Sequence, residues 1–214
     1  MTNIETIYAT KNLLWNQLYT SWITEELFSL PWWISVVSLI VSYIIWWKLL
    51  DKSRLVELLL FGSLVAVMSI IIDTVADNLT LWQYKVKIFP FTPGFFPYHL
   101  SLAPLILMLV YQYTNHWRSY IIGTVLAGLI YCFVMIPTFV FIGEAQLYKW
   151  NHGYTFITFT ARAMIGRWIV MLCKHIQSSY QDQTNSSQSS WLISQPVLKV
   201  PPDNESEKRS RSDE

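Results

Sequence analysis

Five apolar stretches constrain this chain more than any other feature, because each is long enough to cross, or nearly cross, the ~30 Å hydrocarbon core of a bilayer. The first, 31–47, would extend about 26 Å as a helix at about 1.5 Å per residue. It holds Trp32 and Trp33 at one end and Trp46 and Trp47 at the other, and Lys48, Lys52 and Arg54 follow at once. Paired indoles at the ends of an apolar run, with cations just beyond, suit the headgroup region. The second run, 55–72, carries one acid, Glu57, and stops at Asp73; the third, 98–113, contains Pro104. The fourth, 120–142, has Pro137 near its end, and the fifth, 154–173, encloses Arg162 and Arg167. Proline within a membrane helix is tolerated where neighbouring groups satisfy the freed carbonyl. The expected architecture is all-α: a polytopic membrane bundle of about five transmembrane helices over residues 31–175.

Composition agrees. Of 214 residues, 53% are hydrophobic, 16% aromatic and 14% charged, whereas a soluble domain carries about 25% charged residues. A formal net charge of +1 supplies no field to hold a phosphate backbone, so nucleic acid is not an expected partner. No internal repeat is visible. The two cysteines, Cys132 and Cys173, lie at different expected depths and should be free thiols.

Residues 3–28 place Ile4, Ile7, Tyr8, Leu14, Trp15, Leu18 and Trp22 near a helical period, so segment 1–30 reads as an amphipathic helix lying along the membrane surface. It lacks the basic region followed by a short apolar stretch of a secretory signal. Residues 176–214 are rich in Ser, Gln and Asn and end in alternating charges; a disordered cytoplasmic tail is expected. Trp191, Leu192 and Ile193 interrupt it as a sticky spot or a docking motif. Lys48, Lys52, Arg54, Arg118 and Lys174 fall on one side of the spans, and Lys11, Lys85, Lys87 and Lys149 on the other. The denser set favours the N-terminus outside and the C-terminus inside.

Ionisable groups inside spans are costly unless paired or facing water, which makes them the natural candidates for a site. Arg162 lies roughly 12 Å down the fifth span at about 1.5 Å per residue, its side chain leaning back toward the outer face. Asp73, or Asp77 one turn later, ends the second span at that face, so an ion pair between Arg162 and one of them is expected. Thr155, Thr158, Arg162 and Gly166 share one helical face, suited to packing or to lining a cavity. Arg167 points about 140° away and should snorkel toward the inner face or meet Glu57, itself expected to pair with Arg54. Asp73 and Asp77 could also hold magnesium and a diphosphate, although no second acidic motif accompanies them. Between residues 77 and 99, three prolines, a glycine and many aromatics, Trp82 and Tyr84 among them, preclude a continuous helix and predict a capping loop. His99 reads either as a group titrating near neutrality or as an interface hydrogen-bonding residue. No histidine pair has a metal-ligand spacing, and no phosphate loop or serine elbow occurs, so no cofactor, metal or catalytic residue is expected.

Leu109-Val-Tyr-Gln-Tyr113, then His116-Trp117-Arg118 and Tyr120, Pro137, and Tyr148-Lys-Trp-Asn-His-Gly-Tyr-Thr-Phe156, preceded by Asp73, Trp82 and Tyr84, resemble an uncharacterised family of small multi-pass membrane proteins of spore-forming Gram-positive bacteria. The resemblance covers roughly residues 30–175 and implies a bacterial plasma-membrane location without an established activity. An acidic residue would be expected before the fourth-span proline; here it is Ile136.

Three readings follow. In the first, a non-enzymatic membrane protein binds a lipid, another amphiphile or a membrane-protein partner, or a second copy of itself, at an outer pocket between Asp73, Trp82, Tyr84 and Arg162. The second is a transporter or channel subunit with Arg162 and Arg167 lining an anion path. The third is a small membrane enzyme acting on isoprenoid lipid, prompted by Asp73 and Asp77 and a similarity to the compact helical domains of carotenoid cyclases.

Overall fold

A computed structural model describes residues 3–90 and 101–194, with side chains through 184. The chain divides into two compact units, Met1–Met171 and Leu172–Glu214. Seven α-helices and two short strands are described: α1 (Ile4–Ser21), α2 (Leu30–Leu49), α3 (Leu55–Asn78), β1 (Trp82–Tyr84), α4 (Ala103–Tyr113), α5 (Trp117–Ile130), α6 (Ile136–Ile142), β2 (Ala145–Leu147) and α7 (His152–Ser194). The architecture is the expected helical bundle.

Four helical segments are long and apolar enough to cross a membrane: Leu30–Leu49, Lys52–Asn78, Trp117–Ile142 and His152–Thr184. The third expected span is shorter, an 11-residue α4 preceded by two residues in a π-type turn. Residues 98–100 of that span lie outside the described residues. Pro104 sits in the first turn of α4, where its missing N–H costs no helical hydrogen bond. Pro137 sits in the first turn of α6, directly after a five-residue π-helical turn, Tyr131–Met135. The wider turn carries the backbone past the proline, so the fourth span runs on from Trp117 to Ile142.

Side-chain polarity is inverted relative to a soluble bundle. Ile40, Ile44, Ile71, Ile122, Leu126 and Ile157 are exposed, whereas Ser35, Ser69, Asp73, Thr124, Arg162 and Arg167 are buried. Helices with apolar outer faces and polar inner ones match hydrocarbon outside. Close packing at α3 depends on two glycines. A Cβ on Gly166 would meet the Phe61 ring at 3.1 Å, and one on Gly62 would run into the Met108 thioether. Phe61 stacks on Tyr111 at 4.6 Å, and the Tyr120 hydroxyl donates to the Ala163 carbonyl at 2.8 Å, joining α5 to α7.

From α2 onward the helical segments alternate in direction, with α5 and α6 counted as one. The loops around residues 79–90 and 143–151 therefore share one end of the bundle, and those around 50–54 and 114–116 share the other. At the first end, β1 pairs antiparallel with β2, Trp82 opposite Leu147 and Tyr84 opposite Ala145. These strands carry no sequence signal, because three residues each are too few for a periodic pattern. The N-terminal helix is present, and none of its residues is buried. In the second unit, side chains from 172 to 184 are exposed, Cys173 among them. Helix continues to Ser194, past the boundary expected at 176, and residues 195–214 lie outside the described residues.

Candidate functional site

The end that holds the strand pair gathers most of the polar residues singled out from sequence. Asp73 falls in the last two turns of α3 and is buried. The two residues of β1 that share a face, Trp82 and Tyr84, both turn to it. Trp82 Nε1 donates to Asp73 Oδ1 at 3.0 Å and the Tyr84 hydroxyl donates to the same oxygen at 2.8 Å. Alternation along the strand makes this two-pronged grip possible, with Gln83 facing the other way. Burial, and the carboxylate it bonds, hold the Tyr84 phenol well above its ordinary pKa, so it acts as a donor. Trp82 also packs edge-to-face on Trp150 at 5.0 Å, which fixes the indole.

Arg162 corrects one expectation. It is 5% exposed, and no carboxylate of the described residues lies within ion-pair distance of it. Its Nε donates to the Thr158 carbonyl of its own helix at 3.1 Å, and Nη1 donates to Ser69 Oγ at 2.6 Å. Ser69 precedes Asp73 by one turn on the same face of α3, about 6 Å along the axis. The guanidinium therefore meets α3 one turn deeper than the pairing with Asp73 requires. Asp73, Tyr131, Cys132 and Tyr84 still lie close enough to act on its charge. Asp77 is half-buried and outside this contact set. His99 lies outside the described residues.

Arg167 is likewise buried, and its expected partner is replaced. Glu57 is held by Arg54 at 3.0 Å and by the Tyr111 hydroxyl at 2.6 Å. Arg167 instead donates from Nη1 to the Thr114 carbonyl at 3.1 Å and from Nη2 to the Asn115 carbonyl at 2.9 Å. These carbonyls follow the C-terminus of α4, where a cation is favoured. Three rings surround the guanidinium: Tyr120 at 4.4 Å, Trp117 at 5.1 Å and Tyr111 at 5.4 Å. The planar cation satisfies a helix end and packs among aromatic faces, which removes any need to snorkel. The expected Glu57–Arg54 pair does form, with Glu57 half-buried.

One buried acid escaped sequence reading altogether. Glu144 is fully buried and accepts from Ser35 Oγ at 3.3 Å. It follows Gly143, whose φ of 87° ends α6 in the left-handed conformation, and its carbonyl accepts from the Lys85 amide at 3.0 Å. A glycine stop after an apolar run is a legible signal of a helix end. That the next residue turns inward toward α2 is not.

Cys132 and Cys173 are both free, as expected. Among the described residues no cluster of three or more His, Cys, Asp or Glu could hold a metal ion. Compared with known protein families, curated proteins and solved structures, the chain matches none.

Proposed function

We propose that the protein is an integral membrane protein of the bacterial plasma membrane that holds an anionic amphiphile through Arg162, at the end of the bundle bounded by Asp73, Trp82 and Tyr84. The observation that carries this reading is a guanidinium 5% exposed, in an apolar helix, with no contact counter-ion among the described residues. Of its five N–H bonds, two are used by Thr158 and Ser69, which leaves donors for a phosphate or carboxylate. The aromatic residues of β1 and Trp150 suit the apolar part of such a molecule. The location rests on the resemblance noted from sequence, and the cation distribution favours this end facing outward. An anion path lined by both arginines has less support, because Arg167 is engaged by two carbonyls and three rings.

Purification in mild detergent followed by native mass spectrometry tests the reading. The wild-type chain should retain an anionic lipid or related amphiphile, Arg162→Lys should retain it more weakly, and Arg162→Gln should lose it while keeping its helical content. Equal retention by all three, or none by the wild type, refutes the assignment.

A further inference from the structure

The turn between α1 and α2 makes an unusual set of contacts with the loop that follows β1. Trp22 Nε1 donates to the Lys87 carbonyl at 2.9 Å, while Glu26 Oε2 accepts from the Lys87 amide at 2.8 Å. Trp32 Nε1 adds a longer bond to the Ile88 carbonyl at 3.4 Å. One peptide segment in an irregular loop thus has its N–H and its C=O satisfied by side chains more than 60 residues away in sequence, where strand pairing would ordinarily serve. Val86 and Ile88, on either side of Lys87, are buried. The segment making these bonds is itself built to bend. Trp22–Glu26 is a π-helical turn, Phe28 has a φ of 61°, uncommon for a bulky residue, and Ser29 Oγ then caps α2 by accepting from the Trp32 amide at 3.4 Å.

What lies on the two sides of this contact gives it meaning. On one side, the loop is continuous with the β1 strand before it, whose Trp82 and Tyr84 grip Asp73. Toward the N-terminus, the turn is continuous with α1, which presents Ile4, Tyr8, Leu14, Trp15 and Tyr19 to the surroundings. Because α2 begins with Pro31, Trp32 and Trp33, α1 emerges at headgroup level, and a lipid interface is the apolar surface within its reach. Glu5 and Lys11 leave α1 without a net charge, so a zwitterionic interface suffices.

We propose that the Trp22–Trp32 segment is a latch, by which the seating of α1 on the membrane surface holds the 85–88 loop down over the Asp73 end of the bundle. The naming of what lies behind the latch rests on the function proposed above; the latch itself does not. Its test reads no ligand, so failure of the two can be told apart.

The full chain is placed in phosphatidylcholine nanodiscs, and amide hydrogen exchange is followed at residues 85–88. Trp22→Phe and Glu26→Ala each remove one bond and should speed exchange there about tenfold or more, with the helix interior at Leu58–Val65 unchanged as a control for folding. Ile4→Glu combined with Tyr8→Glu and Trp15→Glu leaves every latch residue in place but weakens the seating of α1, and it should speed exchange at 85–88 in the same way. Unchanged exchange in the latch variants overturns the proposal, as does acceleration in those variants with none in the α1 variant.

Discussion

Replacing Arg167 by lysine separates a structural cation from one that merely supplies charge. Arginine spans the Thr114 and Asn115 carbonyls at 3.1 and 2.9 Å because its planar fork carries two donors at fixed spacing. A lysine ammonium at the same position reaches one carbonyl and leaves the other, at the end of α4, without its donor. A hydrogen bond to a charged group contributes roughly 1.5–3 kcal/mol. The close contact over the Tyr120 ring at 4.4 Å is also lost, and a desolvated cation–π contact is worth about 1–2 kcal/mol. Arg167→Lys should therefore destabilise the bundle by about 2.5–5 kcal/mol despite conserving charge. Arg167→Leu removes both bonds and should cost at least as much. Reversible unfolding of the purified protein in mixed micelles, titrated with SDS and followed by circular dichroism, measures both. A loss for Arg167→Lys below about 0.5 kcal/mol, within the range of ordinary surface changes, would show that the fork is dispensable and that the three-ring cage does not hold the guanidinium as described.

Further expectations concern the other contacts. A double-mutant cycle of Asp73→Ala and Tyr84→Phe, read by the same unfolding assay, should give a coupling of about 1–2 kcal/mol, since each single change breaks the hydrogen bond that the pair shares; additivity would contradict the 2.8 Å contact. Gly166→Val should cost about 1–3 kcal/mol by overpacking, because even a Cβ would meet the rigid Phe61 ring at 3.1 Å, and thermal unfolding checks it. Burial raises the pKa of Glu26 from its ordinary 4.5, with help from Glu25 and against the opposing pull of the Lys87 amide and ammonium; Asp77 faces the same lysine. A group whose pKa is raised on docking favours the docked state most below its undocked value and less as pH climbs through the raised one. Exchange at 85–88, corrected for the intrinsic pH dependence of amides, should thus accelerate as pH rises from 4.5 toward neutrality, and Glu26→Gln should flatten that response.

Several features were legible before any tertiary contact was known. The apolar runs, the helix ahead of them, the arginines buried in the last of those runs and the pairing of Glu57 with Arg54 all follow from local spacing and from the cost of charge in hydrocarbon. The association of Asp73 with Trp82 and Tyr84 was anticipated as a grouping at one end, but its form, two donors from one strand face converging on a single oxygen, was not. The partner of Arg162 was misjudged by one turn. Ser69 and Asp73 lie on the same stripe of α3, and sequence favoured the carboxylate because opposite charges attract; the relative axial shift of α3 and α7 instead delivered the hydroxyl.

Sequence by itself determined which segments are apolar enough to seek hydrocarbon, because the transfer of a side chain from water depends mainly on that side chain and its immediate neighbours. Tertiary structure alone decided where each arginine found its acceptors, which carboxylate was enclosed at Glu144, and how a turn near residue 26 came to hold a loop near residue 87. These outcomes depend on the rotation and sliding of packed helices against one another, and a shift of one turn exchanges one partner for another without altering the apolar pattern.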